Sequence, residues 1–495
     1  MSKILSTAKT NMAAKLSAFP YQTQAFLTIK DLDYSAIFHE QGLGKTKIAI
    51  DLMLYWITKR GIDTVLIVTK KQLVQNWVDE FAAHTYIKPK TLSTNRRDNF
   101  YVFNSPTKAV ITNFETVSTE KARMKLFLKT RDVAIIIDES TKLKNPNAKL
   151  TQDFFELSTL FKIRTIMTGT PVANRPYDIW SQIYFLDQGK SLGDDFAEFK
   201  KTTDLKNNLE SQDDKRLEFE DSVASIFDKI SSFSVRETKK TASIDLPEKR
   251  YITVKSKFAP IQSKMYYQIL KELEIEVNKD GSDYVDDESV ALKRLLRLNQ
   301  VTSNPYLLDE NYTEISAKEA SLTDLLSTII DRGEKCIVWS NFIENIEVFA
   351  KKYAQYNPRK IHGSMDMADR NLSVSLFKID ESCKVLFATP QAAKEGLTLT
   401  VANNVIFYDR GFNLDDYLQA QDRIHRISQK KQCNVYNLMV EGSIDEWIDR
   451  LLDAKQYAAF LAQGDIDIEH YREKIDYSYG EMIKEILLAG EAMYV

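Results

Sequence analysis

Ser35-Ala36-Ile37-Phe38-His39-Glu40-Gln41-Gly42-Leu43-Gly44-Lys45-Thr46 decides the fold. The first four residues read as a buried strand. The strand runs into a glycine-bearing turn, and Ile48, Ala49, Leu52 and Tyr55 then recur at helical spacing. Gly42 and Gly44 let the backbone curl so that its N–H groups point at phosphate oxygens. The N-terminus of the following helix adds the positive end of its dipole. In such a loop Lys45 neutralises β and γ phosphates and the Thr46 hydroxyl ligates Mg²⁺. The first glycine of the G-x-x-x-x-G-K-T pattern is absent, because His39 occupies it.

Working outward, the same alternation continues. Thr64–Thr69, Ala109–Thr112, Val133–Ile137 and Arg164–Met167 are short β-branched runs separated by helical patterns. That texture predicts a parallel sheet with helices on both faces. From about residue 190 to 330 strand signals become rare and charge rises. Ile261, Met265, Ile269 and Leu273 recur at helical spacing, as do Leu292, Leu295, Leu296 and Asn299, so this region reads as mostly helical. The acidic stretch Lys279 to Glu288 reads as a mobile loop. Alternation resumes with strands expected at Cys336–Trp339, Val385–Ala388, Val405–Tyr408 and Asn434–Asn437. Ser443-Ile444-Asp445-Glu446 is a capping box. It opens a helix with Ile444, Trp447, Ile448, Leu451 and Leu452 on one face. The fold class expected is therefore α/β, with two parallel-sheet lobes, helical insertions between them and a helical C-terminus.

Two further clusters carry chemistry. Asp138 and Glu139 end a run of apolar residues, where a strand's carboxyl end meets the ligand crevice. Beside a phosphate loop, Asp138 would hold Mg²⁺ and Glu139 would orient the attacking water. Arg423 and Arg426 fall on an expected helix entered near Asn413. With Gln419 they stand at i, i+4 and i+7, on one face. Distant arginines joined to a phosphate cradle and a metal carboxylate describe a nucleotide site closed between two lobes. The implied protein is a motor rather than a simple hydrolase.

Composition sets bounds. The 495 residues exceed one ordinary domain, and 43% hydrophobic with 28% charged residues is globular composition. Net charge is −3, so a nucleic-acid surface must be gathered in one cleft. A motor also gains from weak nonspecific phosphate binding, which speeds release. Cys336, Cys383 and Cys433 stand far apart beside apolar runs and read as buried free thiols, not a zinc site. No run of apolar residues is long enough to span a membrane. The first 18 residues carry Lys3, Lys9 and Lys15 without an acid and read as a short surface helix rather than a transit peptide.

These residues together resemble the Swi/Snf-type branch of superfamily II helicases and translocases, from about Pro20 to Lys455. Phe19-Pro20-Tyr21-Gln22 is similar to the adenine-reading segment, which implies nucleotide recognition by Gln22. Glu40 to Thr46 resembles motif I, Leu66 to Trp77 motif Ia, and Ile111 to Thr116 the next strand-contacting segment. Asp138 to Pro146 resembles motif II, and Thr168 to Arg175 motif III, which couples the lobes. Phe233 to Lys239 with Leu246 to Lys249 is similar to the segment joining the lobes. His425-Arg426-Ile427-Ser428-Gln429 completes motif VI.

The resemblance implies RecA-like lobes over 1–188 and 316–445, helical insertions and the inter-lobe segment over 189–315, and a helical brace over 446–495. It implies ATP and Mg²⁺ as cofactors. Gln22, Gly42, Gly44, Lys45, Thr46, Gly396 and Gln419 would bind nucleotide, and Arg423 and Arg426 would be arginine fingers. Lys70, Lys71, Thr112 and Lys394 would contact nucleic acid.

Two departures stand out. Motif II reads Asp-Glu-Ser-Thr where Ala or Gly then His is usual, and Ala393-Lys394 replaces the glycine pair before Glu395-Gly396-Leu397. No chromatin-reading module is visible, which points to a compact viral or prokaryotic-type member. Such a member would be cytoplasmic, or nuclear if eukaryotic. The expected activity is ATP-driven translocation on duplex or branched DNA without sequence reading, with possible replication or recombination partners and no membrane. A strand-separating or branch-migrating helicase shares every ATP-site residue. An inactive scaffold and an RNA-directed motor are further alternatives.

Overall fold

A computed structural model describes residues 11–172, 174–208, 213–242, 246–278, 288–392, 397–426 and 428–475. Its described residues divide into two compact units. The first comprises residues 11–204 with 222–242 and 462–465. The second comprises residues 205–221 with 246–461 and 466–475.

The first unit is built on a seven-stranded sheet in the order β3-β4-β2-β5-β6-β1-β7. Its strands are β1 (Tyr34–Ile37), β2 (Thr64–Thr69), β3 (Lys90–Thr91), β4 (Ala109–Asn113), β5 (Val133–Asp138), β6 (Ile163–Met167) and β7 (Ser234–Val235). Every pairing is parallel. Each residue of β2 and β4 is buried, as expected of strands covered on both faces. One face packs Ile48, Leu52 and Trp56 of the helix Lys45–Lys59 against Ile37, Ile67 and Ile136. On other elements an aromatic chain runs from Phe114 through Phe154 to Phe185, with ring centroids 5.7 and 6.2 Å apart.

The sheet order brings three loops together. Ile37 and Asp138 both lie opposite Met167 in register, so β1, β6 and β5 end at one level. The phosphate loop, the Thr168–Pro171 loop and the Asp138-Glu139 pair therefore leave adjacent strands side by side, at the carboxyl edge where such sheets bind ligands.

The second unit holds a six-stranded parallel sheet in the order β10-β11-β9-β12-β13-β8. The strands are β8 (Lys249–Ser256), β9 (Cys336–Trp339), β10 (Arg359–Ile361), β11 (Val385–Ala388), β12 (Asn404–Phe407) and β13 (Cys433–Val440). Successive residues alternate between two cores. Ile337, Trp339, Leu386 and Phe407 enter one, while Cys336, Val338, Phe387 and Ile406 enter the other. A third cluster joins Tyr266, Leu298 and Val301 of the helices Pro260–Asn278 and Glu288–Ser303 to Ile444, Ile448 and Leu452 of the helix Ile444–Ala462. The Ser443 hydroxyl accepts from the Asp445 N–H at the start of that last helix, 3.2 Å. All three cysteines are free and buried.

The middle region carries helices together with the edge strand β8 at Lys249–Ser256. Alternating charge hid it, since an edge strand keeps polar residues on its open side. Residues 11–19 are not helical. Lys15 is held instead by two hydrogen bonds, its N–H to the His84 carbonyl (2.9 Å) and its Nζ to the Ala82 carbonyl (2.7 Å). The helix after Asn413 ends at Gln421, so Arg423 and Arg426 lie on the turns beyond it rather than on its face. The acidic loop read at Lys279 to Glu288 lies outside the described residues, save Glu288. No helix of the described residues is long and apolar enough to cross a membrane.

Candidate active site

The phosphate loop follows β1 with Gly42 at φ 88° and Gly44 at φ 68°. Gly44 is also the residue before the helix Lys45–Lys59. Only glycine enters this left-handed region at no steric cost. Gln22 presses on the loop. A Cβ at Gly44 would stand 2.3 Å from Gln22 Nε2. That amide donates to the Leu43 carbonyl (3.2 Å), and its Oε1 accepts from the Phe19 N–H (3.0 Å). Tyr21 Oη also donates to the Leu43 carbonyl, at 3.2 Å. The residue expected to read adenine is thus committed to shaping the loop in this structure.

Lys45 folds back over its own loop. Its Nζ donates to the His39 carbonyl at 2.9 Å and to the Glu40 carbonyl at 3.4 Å. Burial lowers its pKa, while Glu139 and Asp138 oppose the shift. His39 is 2% exposed. Burial, with Lys45 beside it, pushes its imidazole down to about 4, so the ring is neutral at physiological pH.

Asp138 closes β5. Its Oδ2 accepts from Trp77 Nε1 (2.8 Å) and Thr69 Oγ1 (3.2 Å), two donors the sequence reading did not single out. Burial, then the neighbouring Glu139, raises the Asp138 carboxyl to about 6. Glu139 holds φ 58°, a left-handed backbone that costs a non-glycine residue roughly 1–2 kcal/mol. Its Oε2 is buried without a hydrogen-bond partner. Lys70 Nζ lies 3.9 Å from that oxygen.

These groups fit Mg²⁺, which takes oxygen ligands and keeps water or phosphate in its shell. Asp138 and the Thr46 hydroxyl would be such ligands, with water or nucleotide phosphates completing the shell.

The segment expected to join the lobes packs beside β1. Its strand β7 pairs with β1, Ala36 opposite Ser234 and Ile37 opposite Val235. Lys239 pairs with Glu40 at 3.3 Å, and Arg236 Nη1 donates to the Phe38 carbonyl at 3.0 Å. Arg236 also pairs with Asp465.

In the second unit Asn413 caps the helix Leu414–Gln421, accepting from the N–H groups of Asp415 and Asp416. Past Gln421 the backbone tightens to i→i−3 bonds, Arg423 N to Ala420 O and Ile424 N to Gln421 O, each 3.4 Å. That turn buries Arg423 to 2% exposure. Its Nε donates to the Gln419 carbonyl (3.1 Å) and its Nη1 to the Leu397 carbonyl (3.4 Å). Arg426 Nη1 donates to Thr398 Oγ1 at 2.8 Å. Gln419 is buried and donates to Asp415 Oδ1 at 2.8 Å. The β8 edge clasps the same turn, with Lys249 on Asp422 (2.7 Å) and the Pro247 carbonyl on His425 Nε2 (2.8 Å).

Of the expected nucleic-acid contacts, Lys71 is exposed and Lys70 is paired with Glu139. Thr112 is fully buried, because β4 is covered on both faces. Its hydroxyl is therefore not accessible to a phosphate in this structure. Lys394 and Gly396 lie outside the described residues.

Residues 34–307 match the SNF2-related domain, and residues 317–428 match the helicase conserved C-terminal domain. A probable chromatin-remodeling complex ATPase chain of Oryza sativa subsp. japonica is 28% identical over 428 residues, covering 82% of this chain and 37% of that protein. The ISWI chromatin-remodeling complex ATPase ISW1 of Saccharomyces cerevisiae is 26% identical, covering 87% of this chain and 39% of that protein. The chain thus spans under two fifths of the length of these relatives. Among solved structures, the Sulfolobus solfataricus SWI2/SNF2 ATPase core in complex with dsDNA aligns with 94% of this chain and 98% of that one, at 24% identity and a TM-score of 0.43. With more than half its length inside the SNF2-related domain, this chain belongs to the SNF2-related family of the Swi/Snf-type superfamily II proteins.

Proposed function

We propose that the chain is a DNA-dependent ATPase that converts hydrolysis into translocation along duplex DNA. The observation that carries this reading is the common level of β1, β6 and β5. It sets Lys45, the Thr168–Pro171 loop and the Asp138-Glu139 pair at one sheet edge. Gly42, Gly44 and the N-terminus of the helix Lys45–Lys59 cradle the phosphates. On binding nucleotide, Lys45 exchanges the His39 and Glu40 carbonyls for phosphate oxygens. Mg²⁺, when bound at Thr46 and Asp138, supplies charge neutralisation on the transferred phosphoryl group. Glu139 takes the water proton, and its left-handed backbone aims the carboxylate. Arg423 and Arg426 are assigned to the γ-phosphate, and Gln22, Gly396 and Gln419 to nucleotide contact. Lys70, Lys71 and Lys394 are assigned to backbone phosphates, contacts that position without reading sequence. Support for DNA as the track comes from family membership and from relatives named as chromatin-remodeling ATPases.

The test is steady-state ATP hydrolysis with no nucleic acid, single-stranded DNA, plain duplex, branched DNA and RNA. Strong stimulation by plain duplex is expected. Stimulation confined to single strands or junctions would replace this reading by strand separation or branch migration. Stimulation by RNA alone would make the chain an RNA motor, and no hydrolysis under any condition would leave a scaffold.

A further inference from the structure

The motif II departure at Ser140 has a partner. Ser140 follows Glu139 directly and is fully buried, as is Gln182 on the helix Trp180–Asp187. Gln182 Nε2 donates to the Pro171 carbonyl (2.9 Å) and the Asp178 carbonyl (3.0 Å). Two carbonyls on that side require the amide nitrogen there. The amide oxygen is left for Ser140, whose hydroxyl donates to it at 2.7 Å. Each polar atom of the glutamine is thus spent, which is the condition for a buried polar group to hold a single arrangement.

The bonds of Gln182 end on two functional segments. On one side lies the left-handed Glu139, held next to Ser140. On the other lies the Thr168–Pro171 loop, where a Cβ at Gly169 would stand 2.6 Å from Gln41 Cγ and 3.3 Å from Lys45 Nζ. The loop is further fixed by the Thr168 N–H on the Ile37 carbonyl (3.2 Å) and the Thr170 N–H on Thr168 Oγ1 (3.2 Å). A path of hydrogen bonds therefore runs from Ser140, next to Glu139, through Gln182 to Pro171 in the loop that passes close to Lys45.

We infer that Gln182 and Ser140 are positioning residues for ATP hydrolysis: their hydrogen bond sets the aim of Glu139 by the same element that seats the Thr168–Pro171 loop against Lys45. This deepens the proposed function and rests on Glu139 being the water-activating residue. Both side chains are fully buried. Both act through Glu139 and the loop.

The test uses the full chain with saturating duplex DNA. Its variants are Ser140→Ala, Gln182→Met and the double variant, assayed well below each melting midpoint. Loss of aim by a fraction of an ångström is expected to lower kcat about tenfold in each single variant. KM for ATP should stay at the wild-type value in Ser140→Ala, because the Gln182 bond to Pro171 that seats the loop beside Lys45 remains. The double variant should be no slower than Gln182→Met, since the path is already broken there. Unchanged kcat in Ser140→Ala, losses that multiply in the double variant, or a rise in the Ser140→Ala KM matching its fall in kcat would each overturn the inference. If Gln182→Met does not fold, Ser140→Ala carries the test alone. A Glu139→Gln control separates the two readings. Full turnover in it defeats the assignment of Glu139, whereas a dead control beside a normal Ser140→Ala defeats only the positioning role.

Discussion

Lys70 Nζ and Glu139 Oε2 stand 3.9 Å apart, so a lysine expected to meet DNA leans on the carboxylate expected to activate water. The pair is partly exposed, at 25% and 18% of the two side chains. A pair of that kind contributes up to about 1 kcal/mol.

Removing the lysine should therefore release Glu139. Lys70→Ala is expected to raise DNA-free ATP hydrolysis by up to about fivefold, the rate equivalent of that energy. The stimulation by duplex should shrink, and the DNA concentration for half-maximal rate should rise. Steady-state hydrolysis across a duplex titration measures all three, and an unchanged DNA-free rate removes the restraint from consideration.

Lys45→Ala should abolish hydrolysis, and Glu139→Gln should bind ATP without turning it over. Filter binding of labelled nucleotide beside steady-state hydrolysis distinguishes the two. Lost binding in Glu139→Gln would place that carboxylate in ground-state contact instead.

Arg426→Ala should lower kcat by about 10³, by the scale of other arginine fingers. Its present bond to Thr398 Oγ1 is an alternative place for the side chain. A change in DNA affinity alone would reassign Arg426 to the track.

Gly44→Ala combines a left-handed backbone with a Cβ 2.3 Å from Gln22 Nε2. The far end of Gln22 can swing away, but the backbone strain of about 1 kcal/mol stays. The expected result is a raised KM for ATP that Gln22→Ala relieves only in part, read from ATP titrations of single and double variants.

Acid should destabilise the first unit through His39. Its imidazole titrates near 4 in the fold against an ordinary 6.5. Between those values the unfolded chain binds the extra proton, so this contribution to stability is whole above about pH 6.5 and falls as pH drops toward 4. The full loss is about 3 kcal/mol. His39→Leu should flatten that part of the profile in denaturant titrations at stepped pH. An equal slope in the variant would show that other groups set it.

Much of this architecture was readable because it is local. Thr64–Thr69, Cys336–Trp339 and Val385–Ala388 are strands at the expected residues, since doubly covered parallel strands are unbroken β-branched or apolar runs. The phosphate loop was readable for the same reason, as its glycines serve a backbone shape their own neighbours dictate. Edge strands were not. β8 alternates charge with apolar residues, and β3, β7 and β10 are too short to carry a period. Side-chain commitments were hidden too. Gln22 spends its amide on Leu43 and Phe19, Lys70 leans on Glu139, and Thr112 is sealed under helices. Gln182 sits in a helix where a glutamine ordinarily faces water. Only the three-dimensional meeting with Ser140 marks it out.

The edge strand β7 and the Arg236–Asp465 pair impose an order of assembly. The phosphate loop is synthesised nearly two hundred residues before the strand that flanks it. Its ionic clasp waits for residue 465, after the whole second sheet has been synthesised. Until β7 is made the nascent first unit carries an open edge at β1, where a foreign strand could dock. Fragments ending near residue 204 should share that fate, clumping rather than remaining dispersed, while the finished chain seals its own seam.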